Sequence, residues 1–133
     1  MRPIVVVETR PFQRFAADIW SDAERQEFID AIARDPRRGA VMQGTGGVRK
    51  LRWSREGMGK SGGARVIYYF HDEEAPLFLL TVYPKGRKDN LTGDERNAIK
   101  QAVTAIKQQI RQERERGQHG RKAQHRRRDP RRS

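Results

Sequence analysis

The chain opens on Ile4-Val5-Val6-Val7, four β-branched residues in succession. A continuous apolar run of this kind predicts a strand buried on both faces. Pro11 suits the first turn of a helix, and behind it Phe12, Phe15, Ala16 and Ile19 recur at i, i+3, i+4 and i+7. That spacing gives one apolar stripe and predicts a first helix. Ser21 and Glu24 form an S-x-x-E capping box, so a second helix starts there. Its apolar face is Phe28, Ile29 and Ile32, and Asp35-Pro36 ends it. Two antiparallel helices therefore follow the first strand.

The period then changes. In Val48 to Trp53, Lys50 and Arg52 point one way and Leu51 and Trp53 the other. Arg65 to Phe70 alternates as well, with Arg65, Ile67 and Tyr69 on one face and Val66, Tyr68 and Phe70 on the other. Leu77 to Tyr83 reads as a third, more apolar strand. His71 to Pro76 fits a hairpin turn, and Glu56 to Gly63 a longer glycine-rich hairpin loop. A second capping box, Thr92 and Glu95, opens a helix whose stripe is Ile99, Val103, Ile106 and Ile110. The order β-α-α-β-β-β-α predicts an α+β fold, an antiparallel sheet with two N-terminal helices and one C-terminal helix.

Apolar periodicity stops at Ile110. From Arg111 to Ser133 there are ten Lys or Arg, three Asp or Glu, and hardly an aliphatic side chain. Such a stretch buries too little apolar surface to offset its ordering entropy, so a disordered or fraying tail is expected behind one domain of residues 1–110.

Charge sharpens this picture. The net charge is +12, and it is unevenly spread. Pro11 to Asp35 holds six acidic and three basic residues, whereas Arg49 to Arg65 holds six basic residues and only Glu56 as an acid. A field concentrated in this way attracts a polyanion. With no cysteine, neither a disulfide framework nor a thiolate metal site exists, which fits a cytoplasmic protein. The run at residues 4–7 is too short for a signal segment, and no stretch approaches the roughly 18 apolar residues that span a bilayer.

Two glycine-rich segments invite phosphate-binding readings that their spacing refuses. Gly59-Lys60-Ser61 looks like the end of a P-loop, but Ser54 stands where its first glycine belongs, and a strand follows instead of a helix. Gly44-Thr45-Gly46-Gly47 fails the dinucleotide pattern because Arg49 occupies its last glycine position. A more informative feature is the pairing of Lys50 and Arg52 with Arg65. Three cations on one face of neighbouring strands repel one another unless an anion joins them. Lys60 and Lys85 converge on the same edge, completing an anion cradle suited to nucleic-acid phosphates. No histidine lies in this region, and no spaced set of carboxylates would hold Mg²⁺. Catalysis there would rest on positive charge around a phosphate, with no metal and no cofactor.

The strings Gly44-Thr45-Gly46-Gly47-Val48-Arg49-Lys50-Leu51-Arg52, Gly59-Lys60-Ser61-Gly62-Gly63-Ala64-Arg65-Val66-Ile67-Tyr68-Tyr69 and Leu80-Thr81-Val82-Tyr83 with Lys85 resemble the HigB-type branch of RelE-like toxins, in the RelE/ParE superfamily. The resemblance implies a RelE-like fold and a ribosome-dependent mRNA endonuclease of a toxin–antitoxin pair. It implies mRNA in the ribosomal A site and rRNA as partners, together with a HigA-type helix-turn-helix antitoxin, and no membrane. Lys50 and Arg52 match the family's paired basic positions, and Arg65 the arginine that stabilises charge on the phosphorane. Lys85 matches the basic residue that protonates the leaving 5′-oxygen. Lys60 matches a loop lysine that grips RNA, and Arg49, Arg55, Arg87 and Lys88 are expected to add RNA contacts. Leu91 stands where relatives place a tyrosine or histidine. Tyr69, on the face of Arg65, is one candidate general base and a lysine of the cradle another. The same superfold also hosts non-catalytic nucleic-acid-binding toxins and toxins that target gyrase.

Overall fold

The computed structural model describes residues 4–54, 63–86 and 91–127, with side chains to residue 117. The elements are β1 (Val6–Glu8), α1 (Arg10–Ile19), α2 (Asp22–Arg34), β2 (Ala40–Val41), β3 (Val48–Trp53), β4 (Ala64–Phe70), β5 (Leu77–Pro84) and α3 (Gly93–Arg127). Both expected capping boxes are present. Ser21 accepts from the Glu24 amide at 3.1 Å while the Glu24 carboxylate accepts from the Ser21 amide at 2.8 Å. Thr92 and Glu95 repeat the arrangement at 3.1 and 2.8 Å.

The strands form one sheet in the order β1-β5-β4-β3-β2. β2 through β5 pair antiparallel, as short connections require. β1 departs from the expectation of an all-antiparallel sheet: it runs parallel to β5, Val6 opposite Leu77 and Glu8 opposite Leu79. The two helices between β1 and the remaining strands supply the long crossover that a parallel pair needs. β1 is also an edge strand whose residues are all half-buried, and Val5 just before it is 66 % exposed, so the apolar run is not buried on both faces. Its β-branched run reflects strand formation, and only Ile4 and Val6 pack into the first core.

Two cores sandwich the sheet. On one side Phe12, Ala16, Trp20, Phe28 and Ile32 of α1 and α2 pack on Leu51, Val66, Tyr68, Phe70, Leu79 and Val82. On the other the α3 stripe of Ile99, Val103, Ile106 and Ile110 packs on Val48, Ile67, Tyr69 and Leu80. The expected alternation of β3 and β4 is therefore divided between two covered faces.

α3 does not stop with its apolar stripe. It continues through Arg127, where disorder was expected from Arg111 onward. Residues 111–116 are Arg, Gln and Glu, all good helix formers. Arg114 also reaches back to Asp72 in the β4–β5 turn at 2.8 Å. Lack of a core does not prevent a helix that an existing one already nucleates. No helix among the described residues is long and apolar enough to cross a membrane.

Candidate nucleic-acid interface

Sheet register brings the predicted cations together. Arg52 in β3 lies opposite Arg65 in β4, and Arg65 lies opposite Tyr83 in β5. One pair further along, Lys50 is opposite Ile67, which is opposite Thr81. Lys50, Arg52 and Arg65 thus share the α3 side of the sheet, while Leu51 and Trp53 turn into the α1–α2 core. Arg52 is exposed, and Lys50 and Arg65 are half-buried. Lys85 joins the same end of the sheet, its amide donating to the Gly63 carbonyl at 2.9 Å just before β4. β3, β4 and β5 contain no acidic residue at all.

The acids gather at the far end of β4. Asp72, Glu73 and Glu74 form the β4–β5 turn. Arg114 donates to both Asp72 oxygens at 2.8 and 2.9 Å, and Arg37 bonds Glu73 at 2.6 Å. These hydrogen bonds hold both carboxyls below their ordinary range. Seven residues of strand, roughly 23 Å, separate the acidic turn from Arg65. Arg114 and Arg37 neutralise most of that turn, whereas no strand carboxylate stands beside the cation row.

Arg49 and Tyr69 are placed apart from that row. Arg49 points to the opposite face, as alternation from Lys50 dictates, and donates to the carbonyls of Gly39 at 2.7 Å and Arg37 at 3.1 Å. It anchors the segment leading into β2 and is not aligned with Lys50 and Arg52. Tyr68 completes that anchor: its hydroxyl accepts from the Gly39 amide and donates to the Pro36 carbonyl, each at 2.8 Å. Gly39 is required there, since a Cβ would stand 2.9 Å from the Tyr68 ring.

Tyr69 shares the face of Arg65 but lies four residues along β4, roughly 13 Å away. It is buried under α3, with its hydroxyl 2.8 Å from His71 Nδ1 and the Lys107 ammonium 5.8 Å from its ring centre. Burial, reinforced by Asp72, pushes its phenol up, away from a useful base. Leu91 is buried against the same core. Lys60, Arg55, Arg87 and Lys88 lie outside the described residues.

Tyr83 is the neighbour of Arg65 that strand alternation conceals. In β5 a bulge falls between the pairs Ile67–Thr81 and Tyr68–Leu79. The extra residue shifts parity, so Leu79 and Val82 face the α1–α2 core while Leu80 and Tyr83 face α3. Uninterrupted alternation would have put Tyr83 with Leu79. Only the polar Thr81 beside Leu80, half-buried in the sheet, hints at the break in the sequence.

The G-T-G-G segment is architectural. Gly44, Gly46 and Gly47 all have positive φ, the conformation that glycine tolerates. Thr45 is buried and spans the turn, its hydroxyl donating to the Met42 carbonyl at 2.6 Å and accepting from the Val48 amide at 3.1 Å. Arg96 of α3 donates to the Gln43 carbonyl at 2.8 Å. This turn sets the register of β3, and the register aims Lys50 and Arg52.

A glycine turn that fixes β3, a bulge that rotates β5, and an acid-free cation row between them give the motifs quoted from the sequence one common geometry. Residues 4–122 match the family model described as the RelE toxin of the RelE / RelB toxin-antitoxin system. The match spans the sheet, all three helices and part of α3 beyond its buried stripe, and the chain belongs to the RelE toxin family.

Proposed function

We propose that this toxin is a ribosome-dependent mRNA endonuclease that works without a metal. The observation that supports it most is the Arg52–Arg65 pair with Lys50 beside it on strands that hold no carboxylate. Such a row attracts a phosphodiester and stabilises charge gained by its non-bridging oxygens. In the reaction, the ribose 2′-oxygen attacks phosphorus while its proton passes to a base. The bond from phosphorus to the 5′-oxygen then breaks, and that oxygen takes up a proton. The products are a 2′,3′-cyclic phosphate and a 5′-hydroxyl. Arg65 stabilises the phosphorane, Lys50 and Arg52 hold the flanking phosphates, and Lys85 supplies the leaving-group proton. Lys60, Arg55, Arg87 and Lys88 add further contacts to the RNA.

Membership of the family implies an antitoxin partner, and we take it to be of the HigA-type helix-turn-helix kind. The protein acts where translation does, in the cytoplasm. A second reading, a toxin that grips RNA or engages gyrase without cutting RNA, draws on the burial of Tyr83, 4 % exposed, and the remote position of Tyr69. Neither tyrosine offers an accessible base at the row. Mapping mRNA 5′ ends after induction of the toxin decides between them. Codon-phased 5′-hydroxyl ends that vanish in Arg65→Ala support cleavage; intact mRNA with halted replication supports the second reading.

A further inference from the structure

Next to the bulge, the edge of β5 borders a groove that Leu80 and Thr81 help to line. β1 covers β5 only as far as Leu79, and beyond it α1 runs beside the strand while α3 starts across it. Between the two helices lies a groove of about 420 Å³ lined by Pro11, Phe15, Leu80, Leu91, Ala98 and Ala102, among others. Of its polar side chains, the Thr9 hydroxyl donates to the Leu79 carbonyl at 2.7 Å, Glu95 caps α3 through the Thr92 amide, and Thr81 is the third. What the groove offers a ligand is apolar surface, the wrong lining for a phosphodiester and the right one for a peptide's apolar face. Phe15 stands at its lip, 37 % exposed.

The rim is charged with one sign on the α1 side. A second concavity, lined by Arg10, Pro11, Gln13, Arg14 and Phe15, shares Pro11 and Phe15 with the groove. Arg10 and Arg14 are both exposed, with no ion pair to either among the described residues, and Arg14 lies 5.7 Å above the Phe15 ring. Thr81 of the groove is also in one row with Ile67 and Lys50, roughly 10 Å from Lys50 across two strand spacings. An occupant must therefore combine apolar anchors with acidic residues, and its charge falls beside the cation row.

We propose that the groove between α1 and α3 is the docking site of the antitoxin, which inserts an amphipathic helix with acidic flanks. Its apolar face fills the groove, its acids pair with Arg10 and Arg14, and its negative field opposes the attraction of RNA to Lys50. The assignment rests on the toxin–antitoxin membership and not on mRNA cleavage. Its test reads affinity and growth, so failure of the cleavage reading would not affect it.

The experiment uses the full chain and the antitoxin, identified as the neighbouring gene product that restores growth to cells expressing this chain. Phe15→Glu, Ala98→Glu and Ala102→Glu each place a charge at an exposed position of the groove. Each variant is expected to melt as the parent does and to stay toxic alone. Each should bind antitoxin at least about 30-fold more weakly, the effect of an interface hot spot, and escape rescue. Arg10→Glu with Arg14→Glu should weaken binding more at low salt than at high salt. Affinities within about threefold of the parent for correctly melting Ala98→Glu and Ala102→Glu would overturn the proposal. So would a dimer of the chain alone that Ala102→Glu dissociates, which would assign the groove to a second copy.

Discussion

Arg52 and Arg65 face each other as a directly opposed pair across β3 and β4. Like charges in that relationship disfavour folding, so the pair is a poor choice for stability and a good one for holding an anion. Replacing Arg65 by Ala is expected to abolish RNA cleavage while leaving the melting temperature unchanged or slightly raised. Addition of a short RNA should raise the melting temperature of the parent and not of Arg65→Ala. A variant that loses stability along with activity would mean that Arg65 is a scaffold residue.

Arg49 and Lys50 are adjacent in sequence and lie on opposite faces of β3. Arg49 bonds two carbonyls of the segment before β2, so Arg49→Ala is expected to destabilise the fold by about 1–3 kcal/mol. Lys50→Ala is expected to weaken RNA binding instead, with a lower dependence of binding on salt. Denaturant unfolding and a salt titration of RNA affinity, run on both variants, separate the two effects. Equal losses of RNA affinity would return Arg49 to the RNA-binding surface.

The division between legible and hidden features follows from their physical origin. Helices α1 and α2, both capping boxes and the faces of β3 and β4 are local patterns, and Lys50, Arg52 and Arg65 could be grouped from them. The parallel placement of β1 depends on how α1 and α2 fold back, which four aliphatic residues do not encode. Tyr83 was hidden by one extra residue in β5, since a bulge reverses every face after it. The bonds of Arg49 to backbone carbonyls were hidden because a cation beside cations suggests a shared ligand, whereas the pleat turns it to the other face. The helical stretch after Ile110 was missed because core-forming residues, and not helix propensity, marked the expected boundary.

Thr45 tests how far the glycine turn controls the site. It is a buried polar residue, 2 % exposed, and its hydroxyl serves both Met42 and Val48. Thr45→Val keeps the shape and strands both backbone groups, at a cost of about 1–3 kcal/mol. Thr45→Ser keeps both hydrogen bonds and should restore most of that loss. Because β3 register starts at Val48, the valine variant is also expected to lower RNA affinity beyond what its unfolded fraction explains. Binding measured well below its melting temperature checks this point.

Arg114 ties α3 to the β4–β5 turn, and acid should untie it. The hydrogen bond from Arg114 holds the Asp72 carboxyl below its ordinary value of 3.8. The folded-state value is the lower one, so the contact stabilises the fold fully above the unfolded value. That contribution is lost as pH falls through the folded value. Both partners are largely exposed, so solvent screening keeps the contribution small. Arg114→Ala is therefore expected to lower the melting temperature slightly at pH 7, with the difference from the parent shrinking as pH falls below 3.8. Salt should shrink it as well. A difference that high salt leaves unchanged would show that Arg114 acts by packing its stem on the turn and not through the Asp72 carboxylate.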